Sequence, residues 1–247
     1  MKLDQGILQI EGDPTPYAIV ESKGDKDWCV LWLQGWTSAI KKHFPRLQEM
    51  SEITGISFGM INYAGHGDHP VSLDDSSRSQ QFNEVLFMYD KLKSMEYKKI
   101  IVVGTSFGGY MAAHLSAKRE LASAVLRVPA IYQDEEWEFP YVKTERAQGP
   151  EAARKFRENI SADSSSDVLS AIKNFKNTVY VVEHEKDSIV PKNVVKAYFD
   201  VAKRGNYLVV PGVDHSPEMM DEPEKYQDYI QQMIIDIIEL IRKENRF

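Results

Sequence analysis

Cysteine, long apolar segments and positive charge are all scarce in this sequence. A single cysteine among 247 residues, Cys29, excludes an intramolecular disulfide. It stands in the apolar run 28–33, so we expect it to pack as a small buried hydrophobic side chain. No apolar run is long enough to span a bilayer, and residues 1–13 lack the apolar segment of a secretory signal. These absences favour a reduced, cytoplasmic protein without a membrane partner.

The charge balance of the chain is acidic. Lysine and arginine number 30 against 37 aspartates and glutamates, which gives a formal net charge of −7. Proteins that bind nucleic acid concentrate positive charge, so we expect no nucleic-acid partner. Hydrophobic residues make up 43% of the chain, enough for a sizeable core. The length suits one α/β domain or two small ones, and the sequence does not determine whether the protein forms a homodimer.

Apolar runs of strand length alternate with helical patterns along the chain. Several of the runs lack polar alternation, which is typical of strands covered on both faces. The predicted strands are 17–20, 28–33, 56–61, 99–104, 124–128, 178–183 and 206–211, with a weaker candidate at 7–10. The predicted helices are 41–53, 78–95, 107–119, 192–203 and 222–243. This order predicts an α/β fold with a mostly parallel central sheet and helices on both faces.

Two regions depart from this alternation. The first strands have no helices between them, so we expect an antiparallel N-terminal edge of the sheet. Residues 130–176 interrupt the pattern with aromatic and acidic residues, a charged helical stretch at 149–160 and a polar cluster. Long insertions of this kind are frequently lids or binding loops. We therefore expect one domain, residues 1–247, in which residues 130–176 form a small cap.

Ser106 lies between Gly104 and Gly108, where the strand 99–104 runs directly into the next helix. A strand that enters a helix so abruptly needs a sharp turn, and glycines on both sides remove the side chains that would collide. The serine would stand exposed at the sheet edge, beside the free N–H groups at the start of a helix. Those groups favour an oxyanion next to the serine. The pattern predicts a nucleophilic serine.

A nucleophilic serine needs a base, which in turn is oriented by an acid. Of the six histidines, His215 lies in the loop between the last predicted strand and the C-terminal helix, where open α/β sheets carry their chemistry. Asp187 lies just past the strand 178–183, ahead of Val190 and Pro191, and is the expected acid. Asp214 is the alternative acid, disfavoured because adjacent side chains in an extended loop usually point apart.

These residues and three further motifs together resemble the α/β-hydrolase-fold serine hydrolases, of the esterase and lipase type with a small cap. LWLQGW at 31–36 is similar to the family's oxyanion loop, and YAGHGDHP at 63–70 is similar to its glycine-histidine-glycine turn. DSIVP at 187–191 resembles the loop that carries the acid. The chain order of Ser106, Asp187 and His215 is the order in which the family carries nucleophile, acid and base.

The resemblance implies an oxyanion hole formed by the backbone N–H groups of Trp36 and Phe107. Gln34 stands where the family usually has a histidine, so we expect a different brace for this loop. The chemistry implied needs no cofactor. We interpret His66 as a turn residue bonded to nearby backbone, and we expect no metal because the pair His66 and His69 has no third ligand.

Aromatic residues are the candidates for substrate contact. Trp36, which follows Gly35, is expected to line the acyl pocket, and the insertion adds Tyr132, Trp137 and Phe139. The alternative is that the aromatic residues of the insertion only pack it onto the core. The acidic run 134–138 is either a solvated face or the source of a carboxylate that binds the amine of a peptide substrate.

The activity we expect is hydrolysis of carboxylic esters with small to medium acyl groups, through an acyl-enzyme. The same three residues also suit a peptidase or amidase, a thioesterase, or a hydrolase of carbon–carbon bonds. A binding protein without catalytic activity is disfavoured, because such proteins usually lose one of the three residues. The expected partner is a small-molecule ester.

Overall fold

The computed structural model describes residues 2–245, apart from the side chain of Pro150. The strands in this range are β1 (Lys2–Ile10), β2 (Asp13–Glu21), β3 (Trp28–Leu33), β4 (Ser57–Ile61), β5 (Lys99–Thr105), β6 (Ser123–Arg127), β7 (Val179–His184) and β8 (Gly205–Val210). They form one sheet in the order β1-β2-β4-β3-β5-β6-β7-β8. Every run predicted as a strand lies in this sheet, and the weak candidate at 7–10 is the end of a longer strand.

The N-terminal edge of the sheet is antiparallel, as predicted. β1 and β2 form a hairpin in which Ile10 pairs with Asp13 across a two-residue turn. Both turn residues, Glu11 and Gly12, have positive φ, the geometry that matches the twist of the flanking strands. β2 also runs antiparallel to β4, whereas the pairs from β4 through β3 to β8 are all parallel.

Helices cover both faces of the sheet, which confirms the predicted α/β architecture. They are α1 (Ile40–Thr54), α2 (Arg78–Ser94), α3 (Phe107–Lys118), α4 (Pro150–Glu158), α5 (Asp167–Asn174), α6 (Lys192–Val201) and α7 (Pro223–Glu244). One buried cluster lies between the sheet and α2, α3, α5 and α6, and a second lies between the sheet and α1 and α7. β3 serves both clusters, because its alternate residues point to opposite faces and all six are buried. Cys29 is fully buried in the first cluster, as expected.

The insertion predicted at 130–176 contains two kinds of structure. Residues 167–174 form α5, whose Val168, Leu169 and Ile172 are buried in the core beside α3. This helix is the crossover that joins the parallel strands β6 and β7, so it belongs to the main body and corrects the expected end of the cap. The remainder, residues 130–166, holds short 3-10 turns and α4, and a bridge from Pro140 to Ser77 ties it to the start of α2.

The parallel strands bring their carboxyl ends to one edge of the sheet. The loops that follow β3, β5 and β7 therefore meet there, together with the loop between β8 and α7. Open α/β sheets bind ligands at this edge. None of the helices within residues 2–245 combines the length and apolar character needed to cross a membrane.

Candidate active site

Ser106 forms the sharp turn between β5 and α3. Its backbone has φ 54° and ψ −112°, a strained conformation for a residue with a side chain. A Cβ at Gly104 would lie 2.2 Å from the carbonyl oxygen of Gly108, and a Cβ at Gly108 would lie 2.0 Å from that of Leu33. Both glycines are therefore required for α3 to lie this close to the sheet, which leaves the Ser106 side chain above the sheet edge.

A chain of hydrogen bonds joins the three residues singled out from the sequence. The Nε2 atom of His215 lies 3.0 Å from Oγ of Ser106, and the Nδ1 atom of the same ring lies 2.7 Å from Oδ2 of Asp187. Because a carboxylate only accepts hydrogen bonds, the ring carries its proton on Nδ1 and Nε2 is free to accept from the serine hydroxyl. The other oxygen of Asp187 accepts from the backbone N–H groups of Ile189 and Val190, at 2.8 and 2.7 Å.

Asp214, the alternative acid, has a different set of partners. Its Oδ1 accepts from the backbone N–H and the hydroxyl of Ser188, both at 2.8 Å, and from the N–H of His215. Burial would raise the pKa of Asp214, but these hydrogen bonds outweigh it and hold the pKa below its ordinary value. Asp214 thus ties the loop of His215 to the loop of Asp187 and does not contact the imidazole through its carboxylate.

Trp36 and Phe107, whose backbone N–H groups were expected to form the oxyanion hole, are both close to the serine: Trp36 lines the same cavity as Ser106, and Phe107 follows it in the chain. Phe107 is the first residue of α3, where N–H groups lack helical partners, and no acceptor for either amide is found within residues 2–245. The two side chains pack edge to face, with ring centroids 4.8 Å apart. Gln34 braces the loop before them by donating to the carbonyl of Ile61 at 2.6 Å. The side chain that replaces the family's usual histidine therefore acts as a loop brace.

The histidines of the motif 63–70 are buried structural groups. His66 bonds to the carbonyl of Ala64 at 3.0 Å, and its ring stacks on Phe107 with centroids 5.7 Å apart. Burial lowers the pKa of His66 to about 4, so the ring is neutral near pH 7. His69 pairs with the buried carboxylate of Glu84 at 3.0 Å. No cluster of three or more potential metal ligands occurs in the described part of the chain.

A cavity of about 470 Å³ opens beside Ser106 and His215. Its size lies within the range of small-molecule sites, about 300–1,000 Å³. Trp36 and Tyr132, both expected to contact substrate, line this cavity, and the partly exposed Ile189 also borders it. The cavity also extends between the sheet, α1 and α7, where Leu47, Ile230 and other side chains of these helices form its wall.

The structure does not bring Trp137 or Phe139 to this cavity, which corrects the expectation that they contact substrate. Trp137 packs against Phe82 and His114, with ring centroids 5.6 and 4.5 Å apart, and so fixes the insertion to α2 and α3. Phe139 is 45% exposed and borders a separate, much smaller pocket that it shares with Trp36 and Tyr132. Of the aromatic residues proposed from the insertion, Tyr132 alone lines the cavity. It lies five residues after the end of β6, whereas the others lie farther along the insertion.

The acidic run 134–138 is partly used within the insertion. Glu136 pairs with Arg78 of α2 at 3.2 Å and also accepts from the backbone N–H of Glu145. Asp134 accepts from the N–H of Asp167 at the start of α5. These two carboxylates therefore hold the insertion in place and do not line the cavity.

Arginines near the site were missed in the sequence. Arg127 ends β6, and Arg157 lies on α4 of the insertion, yet both line the cavity with Ser106. A charged residue at the end of the otherwise apolar run 124–128 was a usable signal for Arg127. Nothing comparable marked Arg157, which lies in a charged helical stretch and is only 3% exposed in the folded protein.

Solved structures with the same architecture define the class of fold. A thermostable carboxyl esterase from Bacillus coagulans is 12% identical over 98% of this chain and 99% of its own, with a TM-score of 0.72. Est1E from Butyrivibrio proteoclasticus, solved with ferulic acid, is 17% identical over 94% and 99%, with a TM-score of 0.69. Mouse alpha/beta hydrolase domain-containing protein 10 is 16% identical over 98% and 100%, also at 0.69. The protein has the α/β-hydrolase fold.

The sequence family is narrower than the fold. Residues 72–235 match the model of an uncharacterised protein family, UPF0227, and the chain belongs to this family. The matched range contains all three residues of the hydrogen-bonded chain from Asp187 to Ser106. A comparison with curated proteins found no match.

Proposed function

We propose that the protein is a serine hydrolase that cleaves carboxylic esters, with Ser106 as nucleophile, His215 as general base and acid, and Asp187 as the residue that orients the imidazole. The observation that carries this proposal is the hydrogen-bonded chain from Asp187 through His215 to a serine on a strained turn. Each of the two contacts is within the distance at which proton transfer is assisted, about 2.6–3.2 Å. The esterases named above have the same fold and support the choice of ester chemistry.

The reaction proceeds in two halves. His215 removes the proton of Ser106 as its Oγ attacks the ester carbonyl, and Asp187 stabilises the imidazolium that forms. The amides of Trp36 and Phe107 receive the oxyanion, and one such donor is worth about 2.7–4 kcal/mol of barrier reduction. The imidazolium then protonates the departing alcohol, which leaves an acyl group on Ser106. A water molecule, activated by His215, releases the acid and restores the serine.

The proposal also includes a cap over the active site. Residues 130–166 form this cap, which meets the cavity through Tyr132 at its start, Arg146 in its middle and Arg157 near its end. Trp137 and the Glu136–Arg78 pair fasten the cap to the main body. The protein is then one domain with a cap held against the site by packing and ion pairing.

The experiment that tests the function is turnover of p-nitrophenyl esters from acetate to palmitate by the wild type and by Ser106→Ala. We expect turnover by the wild type only, with a preference for the acyl lengths that the cavity accepts. Labelling of the wild type by a fluorophosphonate, absent in Ser106→Ala, would support an activated serine. Equal turnover by both proteins would refute the proposal, as would a folded wild type that neither hydrolyses any ester nor reacts with the probe.

A further inference from the structure

The cavity beside Ser106 concentrates positive charge in a protein whose net charge is −7. Among the described residues that line it, the only carboxylate is that of Glu218. The basic residues in the same lining are Lys42, Arg46, Arg127, Arg146 and Arg157. Since acidic residues outnumber basic ones in the chain as a whole, this local reversal calls for an explanation in terms of what the cavity binds.

Two of these cations already have acidic partners. Lys42 pairs with Glu218 at 2.5 Å, and Arg46 pairs with Asp228 at 2.9 Å. Arg127, Arg146 and Arg157 have no carboxylate within 4 Å in the part of the chain that the structure describes. None of these three guanidinium groups forms a direct ion pair among the described residues, although Glu218 and Asp187 are near enough to Arg127 to favour its charged form.

Arg157 is held in place by neutral acceptors. Its Nε donates to the carbonyl of Ile131 at 3.2 Å, and one Nη donates to that of Ile189 at 3.4 Å. Its guanidinium lies over the ring of Tyr132, 5.1 Å from the centroid. The side chain is almost fully buried, and burying an unpaired charge is costly. These contacts orient the group and leave further N–H donors of its fork for a ligand.

Arg127 approaches the cavity from the sheet. Its Nε donates to the hydroxyl of Thr105, the neighbour of Ser106, at 3.1 Å. Burial lowers the pKa of Arg127 to about 10, which still leaves the guanidinium charged at neutral pH. Arg127 and Arg157 therefore present charge to the same cavity from the sheet and from the cap, with the nucleophile in the same lining.

We propose that the cavity binds esters that carry a carboxylate, and that Arg127, Arg146 and Arg157 recognise this group. The inference rests on the proposed esterase function for the position of the reacting bond. A guanidinium matches a carboxylate through two parallel N–H···O bonds, so a free acid on the substrate would supply a directly paired counter-charge. The net charge of the whole protein repels an anion, and a preference for one must therefore come from these local groups.

The test compares matched pairs of substrates that differ only in the charge. For the acyl side, the pair is p-nitrophenyl hydrogen adipate and its methyl ester, and for the alcohol side it is 4-acetoxybenzoate and its methyl ester. We expect kcat/KM for the acid to exceed that for the methyl ester by about tenfold or more in one of the pairs, since hydrogen bonds to charged groups contribute that much. Equal or lower values for the acid in both pairs would overturn the inference and leave the esterase proposal standing.

Variants assign the preference to the arginines. Arg157→Gln is expected to lower the ratio of acid to methyl ester by about tenfold, and Arg127→Gln and Arg146→Gln measure the shares of the other two. Arg157→Lys keeps the charge and is expected to retain part of the ratio. The matched control is Arg154→Gln, because Arg154 lies on the same helix but is exposed and pairs with Glu158. An unchanged ratio in all three glutamine variants would overturn the assignment.

Binding without turnover separates the two proposals. Adipate is titrated into Ser106→Ala by calorimetry, with dimethyl adipate as the neutral control. The carboxylate site is supported if Ser106→Ala binds adipate but not dimethyl adipate, and if the double variant with Arg157→Gln no longer binds adipate. This support holds even if no ester is hydrolysed. Failure of adipate to bind, together with equal use of charged and neutral esters, refutes the site.

Discussion

Asp187→Asn is the change that tests the hydrogen-bonded chain most sharply. In the native protein one oxygen of Asp187 accepts from the N–H groups of Ile189 and Val190, and the other faces His215. An amide has a single oxygen, and only an oxygen can accept from the two backbone donors. The asparagine is therefore forced to direct its NH₂ group at Nδ1 of His215.

This orientation reverses the proton arrangement of the imidazole. Nδ1 must then accept, so the ring proton moves to Nε2, which can no longer take the proton of Ser106. In a serine protease with the same three groups, this change lowers kcat by about 10,000-fold, or ~5.4 kcal/mol of barrier. We expect a loss of that order here with little change in structure, because the asparagine keeps the shape and the backbone bonds of the acid.

The assay is kcat and KM for p-nitrophenyl butyrate, with thermal unfolding to confirm that each variant is folded. Asp214→Asn is the matched control, since the oxygen of its amide can still accept from Ser188 and from the N–H of His215. Weakening one such bond is worth ~1 kcal/mol, so its kcat is expected to fall by less than about tenfold. A folded Asp187→Asn that keeps wild-type turnover, or an Asp214→Asn that loses as much as Asp187→Asn, would refute the role given to Asp187.

Three further outcomes follow from the same structure. Gly108→Ala would place a methyl group 2.0 Å from the carbonyl oxygen of Leu33. The free energy of unfolding of this variant should therefore fall by about 3 kcal/mol. An unchanged denaturant midpoint would contradict the close approach of α3 to the sheet. Burial lowers the pKa of His66 to about 4 and that of His184 to about 3, below the unfolded value of 6.5, so stability present above pH 6.5 is lost as the pH falls. The loss is about 2 kcal/mol per histidine between pH 7 and pH 5, and His184→Asn should show a shallower pH dependence than the wild type in denaturant titrations. Trp36→Ala should shift the preferred p-nitrophenyl ester toward longer acyl groups, and an unaltered chain-length profile would remove Trp36 from the acyl pocket.

The local sequence pattern was sufficient to predict the strands and helices of the main sheet and the sharp turn at Ser106. Burial on both faces leaves strands such as β3 and β5 without polar alternation, and this is visible in the sequence. The helix of residues 167–174 was assigned to the cap instead, because eight residues in a polar region carry too weak a period to reveal a core-facing side. The position of this helix, α5, follows from the tertiary structure: the chain must connect β6 to the parallel strand β7, and α5 makes this crossover beside α3.

The sequence by itself determined the sheet with its two helical layers, the choice of Ser106, Asp187 and His215 as the residues to bring together, and the glycines that make the serine turn possible. These depend on residue spacing and on steric limits that act within a few residues. Only the tertiary structure decided that Asp187 faces the imidazole while Asp214 ties the loops together, and that Trp137 packs inward as a fastener. It also brought Arg127 and Arg157 into one cavity. Such relations join residues far apart in the chain, and local preferences carry no information about which distant side chains share a space.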